Sequence, residues 1–281
     1  MKVQMTLNDL NSAAGKFAKT NKLPVLFIGH GNPMNALYDN SFTRSLNNVG
    51  SQIKNDFKIN AILVVSAHWL TNGTFVNIQE KPEIIYDFSG FPDELYQVKY
   101  PAAGSPLYAE ETSKLNSNIV TSSDWGIDHG SWTILKHIFP QADIPVFQLS
   151  IDYYKPLQYH FDLAAQLKSL REKGVLIIGS GNIVHNLRLS FQTIRTHGEE
   201  FALDWAIEFD AWIKNKIDAR EFNSIINYES AGEMGKLSVP TVDHYVPMIY
   251  SLALAEKSEP IIYTHEEVTF GAMSMRCFRI G

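Results

Sequence analysis

Thiols are nearly missing from this chain: its 281 residues include one cysteine, Cys277. A single thiol excludes an internal disulfide framework and the Cys-rich zinc modules, and it suits a reducing compartment. Long apolar runs are missing too. No stretch reaches the ~18 apolar residues of a membrane span, and the opening M-K-V-Q-M-T-L-N-D-L-N-S lacks the continuous apolar core of a signal peptide. A cytoplasmic protein is expected. Positive charge is in deficit, with 24 Lys and Arg against 30 Asp and Glu and a formal net charge of -6. With no basic cluster to offset it, this argues against nucleic acid or an anionic membrane as partner. H-E-x-x-H, a Walker loop and G-x-S-x-G do not occur. G-S-G-N-I-V lacks the third glycine of a dinucleotide loop. Internal repeats and low-complexity segments are also absent.

What is present is apolar material, 45% of residues, enough for one sizeable core. The pattern alternates strand and helix without a composition break or linker, which predicts one α/β domain with a mainly parallel central sheet flanked by helices. Residues 1–22 read as an N-terminal arm or short helix and residues 23–281 as the domain itself. Strands are expected over 24–28, up to His68, over 74–79 (half-exposed by its alternation), 119–121, 144–150, 175–179, 260–270 and 272–280. Helices are expected over 41–55, 107–116, from the 124–132 stretch through 139, over 156–173, over 199–218 with Phe201, Trp205, Phe209 and Trp212 on one side, and within 240–255. Leu163, Leu167 and Leu170 fall at i, i+4, i+7, and Gly174 stops that helix. Residues 82–106 are rich in aromatics, Pro and Gly and have no period. A connection of that length is either a lid or binding loop, or an aromatic loop packed under itself.

Histidine placement is the informative feature. The apolar runs P-V-L-F-I-G-H-G, A-I-L-V-V-S-A-H-W and V-L-I-I-G-S-G-N-I-V-H-N each deliver one histidine at or near a strand's carboxyl end: His30, His68 and His185. In open α/β sheets that edge is where ligands sit. Glycines flank His30 and Pro33 stops its strand. Neutral imidazole is the commonest metal ligand, so His30 and His68 are candidate ligands at the sheet's edge. His185 reads either as a further ligand or as a base beside the metal. In T-V-D-H-Y either Asp243 or His244 can coordinate. His129, in I-D-H-G-S-W at a helix start, is disfavoured as imidazolium by the helix dipole and can accept or relay a proton, with Asp128 placed to orient its ring. His137, His160, His197 and His265 lack such punctuation and read as surface or locally hydrogen-bonded. With no thiolate nearby, an N/O site for Fe(II) or Zn(II) is implied.

The motifs G-H-G-N-P-M-N, V-S-A-H-W, D-F-S-G-F-P-x-x-L-Y, Y-P-A-x-G-S-P, W-G-I-D-H-G-S-W, P-V-F-Q-L-S-I-D, G-S-G-N-I-V-H-N-L-R and P-T-x-D-H-Y-x-P occur in this order. Together they resemble the class III extradiol ring-cleavage dioxygenases, and within them the DOPA 4,5-dioxygenase branch, from about residue 24 to residue 281. The resemblance implies non-haem Fe(II) for catalysis, with Zn(II) able to occupy the same site, and a small catechol plus O2 as substrates. It implies metal positions at His30 and His68 with further ones at His185 and His244, a catalytic base at His185, and an active-site histidine that contacts substrate and oxygen at His129. Better-known class III enzymes complete two histidines with a glutamate, whereas this chain offers His244 beside Asp243. The implied reaction is 4,5-cleavage of a catechol such as L-DOPA to the seco-DOPA semialdehyde. A neutral histidine takes the catechol proton, and an acid later assists O–O cleavage. Two other readings share the same residues: a Memo-like binding protein on this superfamily fold, and a zinc hydrolase using the histidines to activate water. Oligomeric state is not legible in the residues.

Overall fold

Four mostly apolar runs have nowhere to go but the middle of a sheet, because their apolar side chains must be buried on both faces. In the computed structural model, which describes residues 20–281, these are β1 (Val25–Gly29), β2 (Ala61–Thr71), β5 (Val146–Asp152) and β6 (Val175–Gly181), and every residue of β1, β5 and β6 is buried. They lie side by side in the order β5-β2-β6-β1, all parallel. Beyond β5 come β3 (Thr74–Asn77), antiparallel to it, and β4 (Ile119–Ser122), parallel to β3. Beyond β1 come β10 (Cys277–Ile280) and β7 (Ile261–His265), both antiparallel to their inner neighbours. A separate antiparallel pair joins β8 (Val268–Thr269) to β9 (Met273–Ser274). The chain is one α/β domain with a mostly parallel central sheet flanked by helices. The arm or helix expected over residues 1–22 lies almost entirely outside the described residues.

Helices of eight or more residues are α1 (Ser41–Asp56), α2 (Pro106–Leu115), α3 (His129–Ile138), α4 (Leu157–Ala165), α5 (Leu187–His197), α6 (Asp204–Asp218) and α7 (Val246–Ala253). Alternation along the strands sorts the core into two faces. Val25, Phe27, Leu63, Val65, Phe147 and Leu149 pack with α4, α6 and α7. Leu26, Ile28, Ile62, Val64, Leu176 and Ile178 pack with α1 and α3. None of these helices is long and apolar enough to cross a membrane.

Several boundaries differ from the sequence expectation. Strand β2 does not stop at His68 but runs on to Thr71, and its pairing with β5 jumps from Val65–Leu149 to Leu70–Ile151. β3 is mostly buried rather than half-exposed. The helix expected over 156–173 breaks after Ala165. Gln166 N donates to Leu163 O and Leu167 N to Ala164 O, a tightened turn before the short helix Lys168–Arg171, yet Leu163, Leu167 and Leu170 all stay buried. Helix α6 starts at Asp204, leaving Phe201 outside it and exposed. Helix α5 was not expected: its apolar Leu187 and Phe191 are exposed rather than turned to the core. The two terminal strands divide into four, the first breaking after His265 and the second after Ser274, while Phe270 (φ 51°) and Gly271 (φ 73°) take the left-handed conformation and reverse the chain between them.

Candidate metal centre

His30 is the residue after β1. Its backbone N–H donates to Gly181 O (3.0 Å), extending the β1–β6 ladder by one step, and Gly31 turns the chain away at φ 63°. His68 sits in the bulged part of β2, between the two registers of pairing with β5. A bulge re-aims a side chain that a regular strand would have kept in alternation. His244 lies in the connection ahead of α7, tied to the end of β6 by Asn182 N–H donating to His244 O (2.8 Å). Gly181 makes this closeness possible, since a Cβ there would stand 2.2 Å from the His244 carbonyl oxygen.

These three histidines, from distant parts of the sequence, bring ring nitrogens within 4.8 Å of one another. The Nε2 atoms of His30 and His68 are 3.2 Å apart. Each ring has its other nitrogen engaged. Ser180 Oγ donates its only proton to Gly130 O (2.5 Å), so it accepts from His30 Nδ1–H across 3.0 Å. His68 Nδ1 faces Asp87 Oδ2 at 3.2 Å. His244 Nδ1 is hydrogen-bonded to Asp243. The network therefore leaves the Nε2 lone pairs of all three rings free, the arrangement in which outer partners fix tautomer and ring orientation for metal binding. Three imidazole donors suit a borderline divalent ion and not Mg or Ca. His244, not Asp243, joins the trio, with Asp243 one step behind it.

His129 opens α3, capped by Asp128, whose Oδ1 accepts from Ser131 N–H (3.1 Å). Asp128 does not orient the His129 ring as expected. Its carboxylate is filled by Ser66 Oγ (2.7 Å), Ser131, Gln148 Nε2 (2.7 Å) and Trp125 Nε1 (3.2 Å). The ring's neighbour is Asp87, with Oδ1 2.9 Å from His129 Nδ1 and also accepting the His129 backbone N–H (3.0 Å). Asp87 thus sits between His68 and His129, whose ring centroids are 3.9 Å apart. His185 lies outside the trio. Its ring stacks on that of His244 (centroids 3.5 Å, planes 10° apart), and it groups with Asp243 and His244. Of the other histidines, His137 bonds Asn35 O, His265 faces Glu267, His197 contacts Thr196, and His160 is buried against Tyr250. None enters the site. Asp87 and Ser180 were not singled out in the sequence. Asp87 stands in the D-F-S-G-F-P motif and Ser180 in G-S-G-N, and only spatial pairing reveals their partners.

The site's electrostatics follow from crowding cationic-capable rings in a dry place. Burial, then the neighbouring rings, push His30 and His244 far below the usual imidazole range. Burial lowers His185 to about 4 despite the opposing pull of Asp243. Burial and His68 lower His129 against the pull of Asp87. His68 goes the other way: burial lowers it, but the bond to Asp87 and the charges of Asp128 and Asp243 outweigh that and raise it. Burial opposes ionisation of Asp87, yet His129 and His68 hold its carboxyl well below the usual carboxylate range. At neutral pH His30 and His244 present neutral imidazole lone pairs, while Asp87 behind His68 favours that ring's charged form until a cation takes the proton's place. It opens into a cleft of about 460 Å³ whose walls include His185, Phe88, Phe91, Phe191 and Phe270, a size suited to one small ligand.

Comparison with known proteins agrees with this geometry. The family model for the catalytic LigB subunit of aromatic ring-opening dioxygenase matches residues 19–270. The chain is 42% identical over 266 residues to 4,5-DOPA dioxygenase extradiol of Escherichia coli (strain K12), covering 92% of this chain and 95% of that one. It is 33% identical to 4,5-DOPA dioxygenase extradiol of Beta vulgaris, covering 90% and 94%. The crystal structure of an uncharacterized protein from Escherichia coli K12 superposes with a TM-score of 0.78 at 39% identity, covering 92% of this chain and 100% of that one. The family match spans β1 to β8 and all three histidines of the trio, and the chain belongs to the LigB family as an extradiol aromatic ring-opening dioxygenase.

Proposed function

We propose that His30, His68 and His244 hold a divalent metal, Fe(II) in the active enzyme with Zn(II) able to take the same place, and that the substrate is a catechol cleaved beside its hydroxyls. The observation that carries this is the convergence of three imidazole nitrogens whose rings are each fixed from behind, by Ser180, Asp87 and Asp243. When bound, the metal supplies the redox chemistry that lets O2 react with the ring. The chain's own residues do the rest. His185, neutral at working pH and stacked on His244 at the cleft wall, takes the catechol proton. His129, held beside Asp87, is the oxygen-side partner that returns a proton when the O–O bond breaks. Phe88 and its aromatic neighbours keep water from the ring.

L-DOPA is the reference substrate, since relatives carry it in their names, and its 4,5-cleavage gives the yellow seco-DOPA semialdehyde. The test is anaerobic loading with Fe(II), then O2 uptake and visible absorbance with a panel of catechols. Stoichiometric O2 consumption with semialdehyde formation is expected, and a loaded enzyme that consumes no O2 with any catechol would end the proposal. His185→Gln should abolish turnover while leaving metal content intact. Cleavage surviving within about tenfold of wild type removes His185 from the base role.

A further inference from the structure

The turn that follows His30 is tightly specified. A Cβ on Gly31 would stand 2.3 Å from Met275 Sδ, and Asn35 Nδ2 donates back to His30 O across 3.3 Å. Between them stands Asn32, half-buried, its backbone extended (φ -78°, ψ 138°) ahead of the short 3-10 turn Pro33–Ala36. Its Oδ1 accepts the Met34 backbone N–H at 2.9 Å. A backbone N–H only donates, so this bond settles which end of the amide is oxygen and leaves Nδ2 as the free end. Nδ2 finds no acceptor among the described residues and is open to solvent. Asn32 lines the same cleft as His30, His68, His185 and His244, and apart from those rings and His129 it brings the only side-chain N–H donor to it among the described residues. The amide is thus oriented from behind, two residues from a member of the trio, with two protons unused. Loss of a proton leaves a catechol with negative charge on a ring oxygen. A donor fixed in place before that charge develops stabilises it without having to reorganise.

Building on the reading of the site as a catechol-cleaving centre, we propose that Asn32 is a catalytic residue, its Nδ2–H donating to a ring oxygen of the bound catechol and stabilising the negative charge left there when the proton departs. Asn32 itself makes and breaks no covalent bond and moves no proton. The contact is to the catechol oxygens and not to the ring substituent, so its effect is the same for every catechol the enzyme accepts.

The test uses Asn32→Ser and Asn32→Asp. Both keep an oxygen for the Met34 N–H and remove the Nδ2 donor, so they separate the capping role of Asn32 from the proposed one. A thermal melt and chelator competition check that fold and metal affinity are retained. The Zn(II)-loaded proteins are then titrated anaerobically with 4-nitrocatechol, whose visible absorbance reports its ionisation. The expected result is an affinity at least about tenfold weaker in Asn32→Ser, with less of the bound catechol ionised, and weaker again in Asn32→Asp, whose carboxylate repels the anion. On the Fe(II)-loaded proteins, kcat from O2 uptake should fall by about 10²–10³ for unsubstituted catechol and L-DOPA alike. Affinity and kcat within about threefold of wild type in both variants would overturn the assignment while leaving catechol cleavage standing. A loss that tracks a lowered melting temperature or metal affinity in both would overturn it too, since Asn32 would then act through its cap alone. A wild-type protein that neither binds 4-nitrocatechol nor cleaves any catechol overturns both this inference and the reading beneath it.

Discussion

Asp87 holds two imidazoles with one carboxylate, His68 through Oδ2 and His129 through Oδ1, so a single side chain couples the proposed metal trio to the proposed proton donor. Removing it frees both rings to rotate and to change tautomer. Asp87→Ala is expected to weaken metal binding by about 10- to 100-fold, the usual effect of deleting a partner behind a ligand. Chelator competition with Fe(II) or Zn(II) measures this directly. Asp87→Asn keeps the shape but not the charge, so it should recover part of the loss for His68. Affinity unchanged in both variants would mean that packing alone orients the rings. The sequence offered no way to see this pairing: residues 82–106 have no period, and an aspartate in D-F-S-G-F-P looks like any loop acid until the sheet brings His68 and His129 to it. His30 and His68 were legible because an apolar run ending in a histidine is a local pattern, whereas a carboxylate between two rings is a non-local one.

At the level of elements, α3 does its work through how closely its first turn approaches β2. A Cβ built on Gly130 would stand 2.7 Å from His68 Cδ2 and 2.7 Å from Ser66 Oγ. Alanine, the better helix former, should nevertheless destabilise the fold by about 1–3 kcal/mol through overpacking. It should also weaken metal binding, because His68 is the group that must move. A thermal melt read beside a metal titration separates the two effects, and a Gly130→Ala protein with normal metal affinity would show that His68 has room this structure does not give it. The N-cap beneath it is equally exacting. Asp128→Ala removes the cap and strands Gln148, Ser66 and Trp125 donors in the interior, for an expected loss of about 3 kcal/mol from the cap plus unpaired buried groups. Denaturant unfolding checks it; a loss under about 1 kcal/mol would reduce Asp128 to an ordinary cap. Most elements were readable because their periods are local. The bulge in β2 was not, since it is set by where β5 and β6 stop pairing. Nor was α5, since its apolar stripe faces the cleft and not the core, so it carries too little burial signal to distinguish it from a loop.

Across the whole molecule, one buried ion pair and one buried ring set much of how the protein responds to acid. Arg171, 1% exposed, donates to both oxygens of Glu259 and to the carbonyls of Leu23 and Leu254, joining the start of the sheet to the end of α7. Burial opposes ionisation of Glu259, but Arg171, the Glu256 N–H and Lys22 together outweigh it and hold the carboxyl at about 2 against an ordinary 4.5. Its contribution is therefore full above pH 4.5 and lost as pH falls towards 2. A second buried pair, Arg276 with Asp210, ties the start of β10 to α6. His160 acts in a different window. It is 1% exposed on α4, against Tyr250 of α7, and burial lowers it to about 4 from 6.5. Between those values the unfolded chain takes up a proton that the folded one refuses, so stability rises with pH there and falls as the medium is acidified. One such group accounts for a slope of at most about 1.4 kcal/mol per pH unit, or about 3 kcal/mol across the window. His30, His129, His185 and His244, all lowered, add slopes of the same sign, and His68, which is raised, adds one of the opposite sign, so the total acid response sums several residues while a difference isolates one. His160→Gln, compared with the wild type in chelator so that no metal intervenes, should lower stability at pH 7.5 and yet lose less of it between pH 6.5 and 4. Urea unfolding at five pH values gives both slopes, and parallel curves would show that His160 is protonated in the folded protein, against the burial that this packing imposes.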